Sequence, residues 1–229
     1  MLFIRTLILS LLLLNSAVQA GVVIGGTRVI YPEANKSVSL NLKNSDNNPY
    51  LVQSWVESEF GETANQPFII TPPLFRFEGQ RENLLRIIRT DGSLPTDRES
   101  MFWLNIKSIA AVSKSSAEDA EAQNALQVAI KNRIKLIYRP TQLIDMPEAV
   151  TDKLKWQLQG NQLTVTNPTP YYMNFQQVKV GGVEVEKANW VGPKSSITFT
   201  VPKATNGREV SWYIITDFGG AGSEHKASL

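Results

Sequence analysis

The chain has no cysteine and one histidine, His225, among its 229 residues. Without cysteine there can be no disulfide framework, thiolate nucleophile, iron–sulfur cluster or thiolate zinc site, and one histidine cannot build a multi-histidine metal centre. Basic runs are also missing. The 23 Lys and Arg residues are interspersed with 21 Asp and Glu, so the block of phosphate-neutralising charge that holds nucleic acid is absent. No glycine-rich phosphate loop points to a nucleotide, and no cofactor is expected. The longest apolar run, Leu7 to Leu14 broken by Ser10, is shorter than the ~20 residues that span a membrane.

What is present begins with that run. Arg5 precedes it and the small residues Ala17, Val18 and Ala20 follow. Charge, short apolar core and small-residue exit describe an export signal cleaved after Ala20. Residues 1–20 are therefore expected to be a signal peptide. They carry one base, Arg5, so removing them leaves 22 basic against 21 acidic residues, a net charge of +1. An exported, cysteine-free chain must draw its stability from core packing and sheet pairing.

From Gly21 onward the sequence reads as β. Short stretches rich in Val, Ile, Leu, Tyr, Phe and Trp recur between turn formers. Expected strands are 21–31, 37–43, 50–57, 68–71, 74–78, 83–89, 100–109 and 125–138. Val38, Leu40 and Leu42 alternate with Ser39, Asn41 and Lys43, the period-two signature of a strand with one wet face. Asn47-Asn48-Pro49, Thr71-Pro72-Pro73 and Glu78-Gly79 mark turns. Seven or eight strands in this span fit an immunoglobulin-like sandwich.

The stretch from Arg139-Pro140 to Met146-Pro147 breaks the pattern and reads as a stiffened connection between domains. Further strands are expected at 155–158, 162–167, 173–180, 183–185, 195–201 and 210–216, enough for a second, smaller sandwich. The expected division is 21–141 and 142–229.

Residues 110–124, rich in Ala, Ser and Glu, have no sustained apolar stripe and read as a long loop. The strand after it, Ala125 to Tyr138, is much longer than the usual five or six residues. Ile134 to Tyr138 read as core. For the first half, a core strand and an exposed apolar ridge on an edge strand fit the pattern equally. An exposed apolar edge is an aggregation hazard unless it serves to join another chain's sheet.

Five segments then carry a family resemblance. They are Thr27-Arg28-Val-Ile-Tyr-Pro32, Leu94-Pro-Thr-Asp-Arg-Glu-Ser-Met-Phe-Trp-Leu-Asn-Ile106, Ile134-Lys135-Leu-Ile-Tyr-Arg-Pro140, Asn167-Pro-Thr-Pro-Tyr-Tyr172 and Ile215-Thr-Asp-Phe-Gly-Gly220. In this order the chain resembles the periplasmic chaperones of the chaperone–usher pilus pathway. The resemblance implies an all-β fold of two immunoglobulin-like β-sandwich domains in an L or boomerang arrangement. It also implies a periplasmic location, pilus or fimbrial subunits and an outer-membrane usher as partners, and no enzymatic activity. Self-association of the free protein through its exposed strand is left open.

Carried over residue by residue, the resemblance places the anchor for a subunit's C-terminal carboxylate at Arg28 and Lys135. Charge-assisted hydrogen bonds make that chemistry sensible. Leu126, Val128 and Ile130 match the residues of a lent strand that completes the subunit's unfinished sandwich. Burying three such side chains would contribute about 5–9 kcal/mol before ordering costs. Glu99, Arg139 and Asp217 match an interdomain charge cluster. Lys135 has the opposite strand parity to Leu126, Val128 and Ile130, so a twist, a bulge or a position beyond the sandwich edge has to reconcile them. Ile109 is followed by Ala110-Ala111 where the family usually has proline, and the absence of cysteine favours its short-loop branch.

Other functional classes are weaker. A secreted carbohydrate-binding or adhesin-like β-sandwich is the alternative, hinted at by Trp55, Trp103, Trp156, Trp190 and Trp212, although tryptophans within strand patterns are expected to be mostly core. His225 lies in a polar C-terminal stretch, 222–229, and is expected to be solvated there rather than catalytic.

Overall fold

The computed structural model describes residues 21–64, 66–90, 92–111, 128–202 and 207–229. The expected signal peptide, the bulk of the 110–124 loop and Leu126 lie outside these residues.

Nine strands build the first sandwich: β1 (Val22–Ile24), β2 (Arg28–Pro32), β3 (Ser37–Asn44), β4 (Tyr50–Ser58), β5 (Phe68–Thr71), β6 (Leu74–Phe77), β7 (Glu82–Arg89), β8 (Ser100–Ala110) and β9 (Ala129–Arg139). One sheet has the order β1-β3-β7-β5 and the other β2-β9-β8-β4-β6. The expected first strand is in fact two, because Gly25 and Gly26 carry the chain from one sheet to the other. Alternate residues of facing strands fill the core, with Tyr31, Leu42, Leu85, Ile87, Leu104, Leu136 and Tyr138 all fully buried. Burial of aliphatic and aromatic side chains of this size is worth about 1.5–3 kcal/mol each.

A connection containing the short helix α1 (Pro147–Val150) and a single 3-10 turn leads to the second sandwich. Its strands are β10 (Lys155–Gln159), β11 (Gln162–Asn167), β12 (Met173–Val180), β13 (Val183–Glu184), β14 (Trp190–Val191), β15 (Ser195–Thr200), β16 (Glu209–Ile215) and β17 (Ala221–Ser228). Its sheets have the orders β10-β11-β15 and β13-β12-β16-β17, with β14 also on β12. Trp156, Leu163, Val165, Met173 and Trp212 are buried in its core. A third, small apolar cluster joins the two domains: Met101 and Ile137 of the first pack with Tyr172 of the second, flanked by Ile30, Trp103 and Trp190.

Two expectations need correction here. Residues 222–229 do not form a solvated tail; most of them belong to β17, which pairs with β16 and sets His225 opposite Trp212. The imidazole stacks on the Trp212 ring at 5.7 Å and meets the Asp152 carboxylate at 2.5 Å, so a structural contact replaces free solvation. The tryptophans also divide. Trp156 and Trp212 are core, whereas Trp55, Trp103 and Trp190 are half-buried on the face of β4 and β8 that leads to the second domain and on β14 opposite it.

Candidate functional site

The site is built on the two faces and one edge of β9. Its pairing with β8 runs from Ile109↔Ala129 to Ser100↔Tyr138 without a register shift, so side chains alternate regularly. Ile134, Leu136 and Tyr138 point into the core. Ile130, and Val128 just before the strand, continue that face beyond the sandwich and are 52% and 57% exposed. Lys131, Arg133 and Lys135 occupy the other face. The parity conflict noted in the sequence is thus resolved by the position of Val128 and Ile130 beyond the core, with no bulge.

The edge is equally asymmetric. β2 pairs with β9 in parallel, from Arg28↔Lys135 to Pro32↔Arg139. From Ala129 to Ile134, β9 has β8 on one side and, among the described residues, no strand on the other. The open edge therefore stops at the pair Arg28–Lys135.

Cations on the outward face are held by aromatic rings and one carboxylate. Lys131 lies 4.9 Å from the Trp55 ring centre, Arg133 4.3 Å from Trp103 and Lys135 4.5 Å from Trp190, all within cation–π range. Glu57, nearly buried, accepts from Trp55 Nε1 at 2.9 Å and pairs with Lys131 at 3.3 Å and Arg133 at 3.1 Å.

Arg28 and Lys135 differ from these neighbours because their direct partners are neutral and come from the second domain. Arg28 Nη1 donates to the Ile215 carbonyl at 3.1 Å, while its buried Nε has no hydrogen-bond partner. Lys135 Nζ donates to Asn174 Oδ1. Burial, and then the adjacent Arg28, push the Lys135 ammonium down to about 8, against the pull of Glu59. Burial also lowers the Arg28 guanidinium from its ordinary value, opposed by Asp217, Glu148 and Glu99. Two half-buried cations side by side without a carboxylate in contact are costly, which is a physical mark of an anion site.

The predicted charge cluster comes together. Arg139 Nε donates to Glu99 Oε1 at 2.7 Å, and its Nη1 and Nη2 donate to the two Asp217 oxygens at 2.6 and 2.9 Å. Glu99 Oε2 accepts the Tyr172 backbone N–H at 2.7 Å. Burial raises the Glu99 carboxyl to about 7 despite Arg139 and that N–H. Gly219 permits the close approach: its φ of 85° suits glycine, and a Cβ there would lie 2.4 Å from Thr27 Oγ1 beside Arg28.

Several participants were not legible in sequence: Glu57, Glu59, Asn174 and Trp190. Glu59 accepts from Tyr172 Oη at 2.9 Å and from Trp190 Nε1 at 3.4 Å, tying the first domain to the second. Apart from Trp55 beside Glu57, the side-chain partners described here are distant in the chain, and no local spacing marks these residues.

Comparison with known proteins agrees with this architecture. Residues 21–144 match the family "Pili and flagellar-assembly chaperone, PapD N-terminal domain" and residues 149–226 match "Pili assembly chaperone PapD, C-terminal domain". The chain is a fimbrial assembly chaperone of the chaperone–usher pathway. The chaperone is 43% identical to the chaperone protein FocC of Escherichia coli over 202 residues, covering 87% of this chain and 86% of FocC. Among solved structures it resembles a chain of the Salmonella enterica SafA pilin in complex with the SafB chaperone, with TM-score 0.83, 38% identity and coverage of 91% and 96%. It also resembles the periplasmic chaperone SfaE, with TM-score 0.77, 39% identity and coverage of 91% and 100%. The family consists of assembly factors, not enzymes, and the chaperone shares its two-sandwich fold.

Proposed function

We propose that this chaperone captures a fimbrial subunit by pairing it with the open edge of β9 and anchoring its C-terminal carboxylate between Arg28 and Lys135. The observation that carries the reading is that the unpaired edge, Ala129 to Ile134, ends at that cation pair. A guest strand in the row of β2 has about 20 Å to occupy at ~3.3 Å per residue. Running parallel to β9, as β2 does, it brings its C-terminus to the two cations; running antiparallel, it would bring an ammonium, which they repel. The solved structure of SafA pilin in complex with the SafB chaperone supports a subunit as the guest.

Val128 and Ile130, joined by Leu126, then enter the core of the guest's incomplete sandwich. The anchored carboxylate fixes the register, since a slip of one residue turns every side chain to the other face. Glu99, Arg139 and Asp217 clamp the two domains, expected at 21–141 and 142–229, so that the cleft keeps its shape. Export after cleavage at Ala20 places this work in the periplasm, as for SfaE. The loaded chaperone delivers the subunit to the outer-membrane usher, where an incoming subunit segment replaces the lent strand.

Co-expression of the chaperone and a candidate subunit in a bacterial periplasm tests the proposal. Soluble complex is expected with wild type and lost with Arg28→Ala, Lys135→Ala and Val128→Asp. Equal recovery with Arg28→Ala and Lys135→Ala overturns the anchor; equal recovery with Val128→Asp overturns the lent strand.

A further inference from the structure

We propose that Asn174 and Trp190, both supplied by the second domain, are positioning residues of the anchor that hold the Lys135 ammonium for a carboxylate and so set the preference for a free chain end over a neutral one. The inference rests on the anchor reading above and adds to it the groups that make Lys135 selective.

Lys135 starts from β9 of the first domain, yet its ammonium contacts lie on the second. Its Nζ donates to Asn174 Oδ1 and stands 4.5 Å from the centre of the Trp190 ring. Asn174 and Trp190 are themselves register partners between β12 and β14, so they present a two-residue cradle. Asn174 is 3% exposed. β14 has only two residues, and Trp190 is fixed instead by first-domain groups. Its ring meets Trp103 edge-to-face at 5.8 Å, and its Nε1 donates to Glu59 at 3.4 Å.

The chemistry of the cradle is specific. An ammonium has three N–H donors. Asn174 takes one and the negative face of an indole attracts the charge without neutralising it, which leaves donor capacity for a guest. A carboxylate in the place of Asn174 would satisfy the lysine internally and compete with the guest. Desolvation favours the neutral amine, and burial already draws Lys135 down to about 8. The amide dipole and the ring oppose this by stabilising the charged form. Removing either loosens the ammonium and moves its titration to lower pH.

The test compares two synthetic peptides of one alternating apolar–polar sequence, ending in a free carboxylate or a carboxamide, by their affinities for the full chaperone from about pH 6 to about pH 9, a range that brackets the Lys135 value of about 8. Wild type is expected to prefer the carboxylate form, and Lys135→Ala to lose the preference. Asn174→Ala and Trp190→Ala are expected to reduce the preference about tenfold each, within the range of cation–π and charged hydrogen-bond effects. Both should also lose it at lower pH than wild type does. Trp190→Phe, which keeps an aromatic face, is expected to retain most of it, and Asn174→Asp to abolish it. Circular dichroism and thermal melts confirm that each variant is folded, and Trp190→Phe and Asn174→Ser serve where alanine is not tolerated. If wild type shows no preference, or Lys135→Ala keeps it, the anchor itself is wrong. If Lys135→Ala abolishes the preference while the Asn174 and Trp190 variants keep the full ratio and an unshifted pH profile, the anchor stands and the positioning role is overturned.

Discussion

Arg28 and Lys135 are cross-strand partners at the first residue pair of the only parallel pairing among the described strands. The same pair ends the unpaired stretch of β9 and faces the second domain through Ile215 and Asn174. One position in the sheet thus combines a strand terminus, two cations and a domain boundary.

A pH dependence follows from Lys135. Its folded value is near 8, below the ordinary 10.5, so between those values the unfolded chain holds a proton that the fold has released. Stability contributed by this group therefore rises as pH increases from about 8 to about 10.5. Thermal melts of wild type and Lys135→Met over this range should show wild type gaining on the variant, and a constant difference would contradict the buried, charged lysine. Guest binding should move the opposite way and weaken as pH rises through about 8, because the carboxylate requires the ammonium.

The two ends of the stretch from Val128 through β9 should respond differently to substitution although their side chains share one face. Val128→Asp and Ile130→Asp change exposed positions and are expected to alter stability by only about 0.5 kcal/mol while abolishing subunit capture. Leu136→Ala removes a fully buried side chain and should cost about 2–5 kcal/mol. Urea unfolding and complex yield, measured on the same variants, separate these effects.

Asp217→Asn breaks a bidentate pair whose members are 12% and 13% exposed and leaves Arg139 with Glu99 alone. Because Glu99 still compensates Arg139, the loss is expected to be that of one charged hydrogen-bonding partner, about 1.5–3 kcal/mol. Small-angle scattering should show a broader distribution of domain orientations. An unchanged scattering profile with undiminished subunit binding would count against the clamp.

Much of this was legible because β-strands advertise themselves by period-two patterning. Leu40 and Leu42 in β3, like Leu85 and Ile87 in β7, alternate as a half-buried strand must, and the turns lie at the Pro, Asn and Gly clusters. β14 was missed because two residues carry no period, and β17 because its side chains are small, polar or partly exposed on an edge. The candidate anchor was legible only through motifs, since neither Arg28 nor Lys135 has a local feature that separates it from a surface base. Asn174 and Trp190 could not be found at all from spacing. They reach Lys135 from the other domain, 39 residues away in the case of Asn174, and only the packing of the two sandwiches brings them together. The parity of Lys135 against Val128 and Ile130 looked like a conflict in one dimension; in three, the two sets lie on opposite faces of one regularly paired stretch.

The central claim is that the guest's chain end at Arg28–Lys135 fixes the register of a strand laid along Ala129 to Ile134. Its most direct test is the periplasmic yield of soluble complex with a subunit whose C-terminus is extended by one residue or by two. Period-two geometry predicts a sharp loss with one added residue, which turns the guest's apolar set away from Val128 and Ile130, and a partial recovery with two, which restores the face. Equal yields for the native, one-residue and two-residue forms would contradict the account.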